Sequence, residues 1–306
     1  MATQKEVNSR IAAVKNVHKI TRAMEMVAAA RLRRAEQRIA ATRPYAQAIR
    51  KITQKVAEAD EGLIARVPLL QEREEVSKVG VLLVTGDRGL AGAFNTQIVR
   101  EGLRLKREYR DAGTEVIYSV VGRRGNSTLS FRGEQVEHSY VGFTDRPAFS
   151  DAREISRALT TSYVDSEFDR VDLVYNRYVS PLTQYVRRQT LLPLQQAEVF
   201  GEGIPEPEEP ADPELAEAQM KSAWFHEPDP EVLLPKLFEE YVDLSVYRAL
   251  LESAASELGA RMTAMRSASE NAQDMIRDLT LEMNRVRQSE ITQEILEVVA
   301  GAEALG

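Results

Sequence analysis

The chain has no cysteine among its 306 residues, so neither a disulfide framework nor a cysteine-based metal site can exist. Its three histidines, His18, His138 and His226, are scattered and form no local metal-ligand spacing. No apolar run approaches the roughly 20 residues that span a bilayer, and the first residues lack the apolar core of a secretory signal. Residues 2 to 34 are basic and amphipathic like a transit peptide, but the helical pattern runs on through them, so they read as mature structure. Glycine is absent before Gly62, and between Asp229 and Val299 it occurs only at Gly259. Two long stretches, one at each end, are therefore free to be helical without interruption.

What those stretches contain is apolar seams. Near the C-terminus, Leu251, Ala255, Leu258, Met262, Met265, Ser269, Ala272, Ile276, Leu279, Met283 and Val286 follow one another in steps of four and three. That is the heptad spacing of a coiled coil. The N-terminal stretch carries Leu32, Ala35, Ile39, Thr42, Ala46, Ile49, Thr53 and Val56, preceded by an offset stripe of Val7, Ile11, Val14, Val17, Ile20, Met24 and Val27. The offset predicts a coiled coil with stutters. Thr3 is the expected N-cap of the first helix, and Pro44 is expected to kink or loosen it. Asp229 and Pro230 are expected to cap and open the last helix.

The middle of the chain reads as alternating strands and helices. Val79 to Thr85 has the β-branching of a buried strand, and the glycine-containing loop from Gly86 to Asn95 leads into a helix capped by Asn95 or Thr96. Glu115 to Val121 is the next strand, Phe149 to Tyr163 a further helix, and 171 to 179 with 184 to 192 a pair of strands turning at Ser180-Pro181. Such alternation predicts a mostly parallel, Rossmann-like sheet. Residues 201 to 228 are acidic and proline-rich and read as an insertion or linker. The expected organisation is a coiled-coil helix over 1–60, an α/β domain over 75–200, the insertion over 201–228 and a second coiled-coil helix over 229–306.

Candidate chemistry is sparse. The loop after the first strand has neither the Gly-Lys-Ser/Thr of a P-loop nor a G-x-G-x-x-G fingerprint, and no nucleophile and base fall into a catalytic spelling. The stronger signal is electrostatic. Residues 1 to 55 hold 13 Lys and Arg against 3 Glu, whereas the whole chain has a net charge of −7. A basic end of this kind fits an acidic protein partner, nucleic-acid phosphates through Arg31, Arg33 and Arg34, or a solvated helix face. Near the other end, Arg285 and Arg287 have the forked donors that grip carboxylates.

Four stretches carry a resemblance. They are Ile20-Thr-Arg-Ala-Met-Glu-Met-Val-Ala-Ala-Ala-Arg-Leu32, Asp87-Arg-Gly-Leu-Ala-Gly-Ala-Phe-Asn95, Ala260-Arg-Met-Thr-Ala-Met-Arg-Ser-Ala-Ser-Glu-Asn-Ala272 and Arg285-Val-Arg-Gln-Ser-Glu-Ile-Thr-Gln-Glu-Ile295. In this order they resemble the gamma subunits of F-type ATP synthases along nearly the whole chain. Ala91 departs from the pattern, standing where the family often has Cys, and the absence of cysteine rules out the redox switch of the chloroplast form.

The resemblance implies an antiparallel, left-handed coiled coil of the two terminal helices, acting as a central rotor inside a hexamer of alternating alpha and beta subunits. It implies that the α/β domain sits near an epsilon subunit and the membrane c-ring, on the cytoplasmic face of a bacterial inner membrane. Catalysis, with ATP, ADP and Mg, would belong to partner subunits, leaving this chain with no catalytic site, cofactor, metal or nucleic acid. Matching positions imply that Arg22, Met24 and Glu25 face an acidic loop of a beta subunit. They also imply that Arg287, Gln288 and Thr292 hydrogen-bond to a beta subunit further along. The small residues Ala300, Gly301, Ala302 and Ala304 would make a narrow tip.

Overall fold

A computed structural model of the chain describes residues 3–59, 67–195 and 229–303; the expected insertion at 201–228 lies outside the described residues. Helix α1 spans Gln4–Ala59 and continues through Pro44, and helix α5 spans Pro230–Glu303. The start of α1 is built as its sequence predicts. The Glu6 amide donates to Thr3 Oγ1 at 3.4 Å while Glu6 Oε2 accepts from the Thr3 amide at 3.0 Å, a reciprocal cap that satisfies otherwise orphaned donors. At α5 the Asp229 carbonyl accepts from the amides of Val232 and Leu233, with Pro230 at the first helical position.

Between these helices lie β1 (Lys78–Val84), α2 (Phe94–Asp111), β2 (Glu115–Val121), α3 (Arg123–Phe131), β3 (Val136–Tyr140), α4 (Phe149–Val164), β4 (Arg170–Tyr178) and β5 (Gln184–Leu192). The described strands form one sheet in the order β3-β2-β1-β4-β5. All neighbours are parallel except the β4–β5 hairpin. Central β1 is buried from Val79 to Val84, as its unbroken apolar run requires of a strand covered on both faces.

Two expectations change here. The side chain of Asn95 does not cap α2. It accepts from the Gly86 amide at 2.8 Å and donates to the Arg88 carbonyl, tying the loop together, while Ala93 holds the cap position without a side-chain bond. In addition, α3 and β3 fill the span between Val121 and Phe149, where the sequence pattern signalled neither. α3 is short and made of weak helix formers, burying only Gly125 and Leu129. β3 is an edge strand whose central residues are exposed, so it lacks the alternation that marks a half-buried strand.

The chain divides into two compact units. One comprises Met1–Leu32, Leu90–Gly92 and Leu258–Gly306; the other comprises Arg33–Gly89 and Ala93–Glu257. The core of the second unit gathers Leu82, Val84, Val121, Ile155, Leu159, Tyr163 and Leu173 with Leu234, Phe238, Val242, Val246 and Leu250 of α5, and with Val56 of α1. In this unit α5 is buried at every position from Ala249 to Glu257, polar residues included. A helix buried all round is a core element.

Candidate functional site

In the first unit, the buried positions of α1 are Val7, Ile11, Thr21, Glu25, Ala28 and Leu32, with Val14 and His18 half-buried. These positions follow in unbroken steps of four and three. In the second unit α1 keeps the same steps through Ala35, Ile39, Thr42, Ala46, Ile49, Thr53 and Val56, each buried or half-buried. The expected stutter is therefore absent. Val17, Ile20 and Val27, counted in the offset stripe, are 51%, 59% and 52% exposed, and polar His18, Thr21 and Glu25 hold the seam instead. The physical reason is that helix periodicity, once several knobs are seated, fixes which side chains face inward. A polar residue there is tolerated when its hydrogen bonds are met.

On α5 the predicted seam holds from Leu258 onward, while its first members, Leu251 and Ala255, belong to the segment of the α/β unit that is buried on every side. Leu258, Met262, Met265, Ser269 and Ala272 are buried, and Ile276, Leu279, Met283 and Val286 are half-buried. Two cross-helix bonds fix the direction of pairing: Arg266 Nε donates to Glu25 Oε1 at 2.9 Å, and the Gln4 amide to Glu290 Oε1 at 3.3 Å. Going back along α1 from 25 to 4 goes forward along α5 from 266 to 290, so the pair is antiparallel.

The residues matched to a beta-subunit contact fall at two places. Arg22 is exposed, Met24 half-buried and Glu25 buried at 6%. The Glu25 carboxylate is used within the pair: Oε2 accepts from Arg22 Nη1 at 2.8 Å, and Oε1 from Arg266. The Arg266 hydrogen bond, helped by Arg22, holds its carboxyl below the usual carboxylate range despite burial. Thr21 is satisfied locally, its hydroxyl donating to the carbonyls of Val17 and His18 at 3.1 Å.

Arg287, Gln288 and Thr292 are all exposed, with Thr292 Oγ1 donating to the Gln288 carbonyl at 2.8 Å. Arg266 and Arg287 are separated by about 32 Å at 1.5 Å per helical residue. The second group lies where α1 runs out, since Glu290 meets Gln4 at the first turn of α1. Beyond it α5 continues with every residue from Ile291 to Ala300 exposed, including Ile291, Ile295, Leu296, Val298 and Val299. Sequence reasoning had not foreseen that the Arg287 group marks the end of the paired region, because the pairing register becomes visible only through the bonds at Glu25 and Glu290.

The other place to look for chemistry is the crevice at the carboxyl ends of the strands, where open α/β sheets take ligands. In the second unit α5 fills it. Ser253 Oγ donates to the Val84 carbonyl at 3.3 Å and Ser256 Oγ to the Asn176 carbonyl at 3.1 Å. A Cβ on Gly86 would lie 2.7 Å from the Glu257 carboxylate, so a larger residue there would require the Glu257 side chain to move aside. The space left among Thr85, Val121, Thr144, Ser253 and Glu257 is about 10 Å³.

Asp87 closes the same end of the sheet. Its Oδ2 accepts from the Gly142 amide at 2.8 Å and from Thr144 Oγ1 at 3.0 Å, and its Oδ1 accepts from the Arg123 amide at 3.1 Å. Burial pushes the carboxyl upward, but these donors outweigh it and hold the pKa below the ordinary value. Asp87 thus works as a knot joining its own loop to the first residue of α3 and to the loop after β3. Among the described residues no group of three or more His, Cys, Asp and Glu is placed to hold a metal.

The same chain thus carries an antiparallel helix pair and an open α/β sheet. A model of the family described as ATP synthase matches residues 3–305. The ATP synthase gamma chain of Rubrobacter xylanophilus is 40% identical, over 100% of this chain and 99% of its own. That of Desulforamulus reducens is 41% identical over the full length of both. The Tetrahymena thermophila mitochondrial ATP synthase central stalk/c-ring structure contains a chain 29% identical, with TM-score 0.59, covering 82% of this chain and 99% of that one. A chain of the Euglena gracilis mitochondrial ATP synthase, 18% identical with TM-score 0.66 over 99% of this chain and 94% of its own, shares the fold. The chain belongs to the gamma-chain family of ATP synthases, as the rotor subunit of the central stalk. It is thereby a subunit of an enzyme complex associated with a membrane, and among its described residues no helix is long and apolar enough to cross one. The nucleic-acid reading of Arg31, Arg33 and Arg34 finds no support among these relatives.

Proposed function

We propose that the chain transmits rotation of a proton-driven membrane c-ring to the catalytic beta subunits of an alternating alpha–beta hexamer. In this reading an epsilon subunit accompanies the α/β domain, and the assembly sits on the cytoplasmic face of a bacterial inner membrane. ATP, ADP and Mg are bound by partner subunits, and this chain supplies no catalytic group and binds no cofactor. The observation that carries the reading is the end of α5. A single helix whose Ile291, Ile295, Leu296, Val298 and Val299 are all at least 48% exposed is a surface that needs a surrounding protein. A sleeve formed by the hexamer provides one.

The two groups of polar residues fit roles as handles on that sleeve. Arg287, Gln288 and Thr292 would hydrogen-bond to a beta subunit where the paired region ends. Arg22 and Met24 would face an acidic beta loop, in keeping with the excess of Lys and Arg in the first 55 residues. Glu25 would act on that loop only through Arg22, which it holds.

The first test is copurification of the chain with alpha and beta subunits and a membrane ring. The second is Arg287→Ala in the assembled complex. Because Arg287 is exposed, the change should leave stability within about 0.5 kcal/mol while lowering both ATP synthesis and hydrolysis severalfold. Normal turnover in the assembled variant would sink the proposed handle.

A further inference from the structure

A heptad seam of small and apolar residues has a weakness: it looks much the same after a slip of one heptad. On α5 the seam residues Met262, Ser269 and Ile276 are successive occupants of one heptad position, and Met265, Ala272 and Leu279 of the other. Sliding α1 by seven residues again sets small or apolar side chains of α5 against it, with Ser269 and Ala272 exchanged for larger neighbours, so the seam repeats in spacing and polarity and only local volumes distinguish one register from the next. The problem is sharpest where α1 offers His18, Thr21 and Glu25 to the seam, since the hydroxyl of Thr21 bonds only within its own helix.

Glu25 removes the degeneracy. Its carboxylate is buried and its two oxygens are each taken by one guanidinium, Oε1 by Arg266 of the opposite helix at 2.9 Å and Oε2 by Arg22 of its own at 2.8 Å. Arg22 travels with Glu25 when α1 slides, but Arg266 does not. One heptad to either side of Arg266 stand Gly259 and Gln273, and neither is a cation. A slipped pair therefore leaves the Glu25 carboxylate in the seam with Arg22 alone, a cost that the native register does not carry.

We infer that Glu25 and Arg266 are the register lock of the helix pair. Their ion pair sets the axial position of α1 against α5 and keeps it there when the pair is loaded in torsion. The consequence for coupling rests on the rotor reading above, whereas the register itself does not. Under twist, two antiparallel helices relieve strain by sliding past one another. A fixed cross-link at a seam position blocks that motion, as a bolt would, so the torque reaches the far end of α5.

The native chain has no cysteine, so engineered pairs report register without background. One helical turn from the Glu25–Arg266 bond, Thr21 comes level with residues 269 and 270, of which Ser269 is the buried seam position. The pair Thr21→Cys with Ser269→Cys reads the native register, and Thr21→Cys with Met262→Cys or Ile276→Cys reads a slip of one heptad either way. The cross-links are measured in the assembled ATP synthase during ATP hydrolysis, together with protons pumped per ATP hydrolysed. With Glu25 intact, only the native pair should cross-link. In Glu25→Gln and Glu25→Ala backgrounds a slipped pair should also cross-link during turnover, and pumping per ATP should fall at least twofold.

Exchanging the two charges, Glu25→Arg with Arg266→Glu, should restore the native cross-link and most of the pumping. A merely structural role for Glu25 would not respond to that exchange. Native-only cross-linking with undiminished pumping in both single variants would overturn the lock. Slipped cross-links with unchanged pumping would keep the lock and overturn its part in coupling. Failure of the unmodified chain to assemble with the other subunits would overturn the rotor reading instead.

Discussion

The two units of this chain show two ways for the same helix to be held. In the α/β unit, α5 between Ala249 and Glu257 is buried on every side and joins a core that also takes in Leu82, Tyr163 and Leu173. In the helix-pair unit, α5 from Met262 to Val286 is covered along one stripe and exposed elsewhere. A three-dimensional core shares each contact among many neighbours, so deleting one side chain leaves a cavity lined from all sides. A seam is one-dimensional, so a deleted side chain is missed only by the residues of a single layer. This is also why the seam can hold Glu25 and Thr21. A polar group in one layer needs partners only within that layer and its flanks, and both find them.

That comparison can be broken at several points. The largest loss is expected for Phe238→Ala, fully buried in the α/β core, which should destabilise that unit by about 3–5 kcal/mol in denaturant titration. A value near 1 kcal/mol would mean that the core collapses around the gap and behaves like a seam. Next is Asp87→Asn, which weakens a carboxylate knot made by Gly142, Thr144 and Arg123 and should cost about 1–3 kcal/mol at neutral pH.

The pH dependence of that loss has a definite sign. Because the folded-state pKa of Asp87 is lowered, its contribution is complete above the unfolded value of about 3.9. It is lost as the pH falls through the folded value. The gap between native and Asp87→Asn proteins should therefore narrow in acid, and a gap that widened below pH 4 would contradict the direction of the shift.

A smaller effect is expected from Ile276→Ala, a half-buried seam residue, at about 1 kcal/mol and confined to the helix-pair transition. Hydrogen exchange would show this as faster opening of amides near 276, with the sheet unaffected. The smallest effect belongs to Val17→Ser and Ile20→Ser. Both are apolar and both lie outside the seam, so each should change the stability of the isolated chain by no more than about 0.5 kcal/mol. A cost comparable to Val7→Ala would restore the stutter that the structure removes.

Much of the fold was legible because it rests on repetition. The α5 seam was predicted residue by residue, since each of its positions is apolar or small and the period never slips. β1 and β2 were legible as short β-branched runs. Where the sequence misled, hydrophobicity and periodicity disagreed. Val17, Ile20 and Val27 are better apolar residues than His18, Thr21 and Glu25, yet periodicity won. α3 and β3 escaped notice because an edge strand with an exposed centre, and a short helix burying two residues, carry little apolar pattern to read.

Of the site, Arg22, Met24, Glu25, Arg287, Gln288 and Thr292 were reached through the resemblance, but their surroundings were not. By itself the sequence determined that two long helices exist, which face of α5 is a seam, and that an alternating α/β segment lies between them, because those properties depend on spacing along one chain. Only the tertiary structure decided the register of α1 on α5 and the burial of Glu25 between Arg22 and Arg266. It alone showed that α5 fills the crevice of the sheet. Each of these brings together residues far apart in the chain, and a heptad pattern is the same before and after a slip of seven.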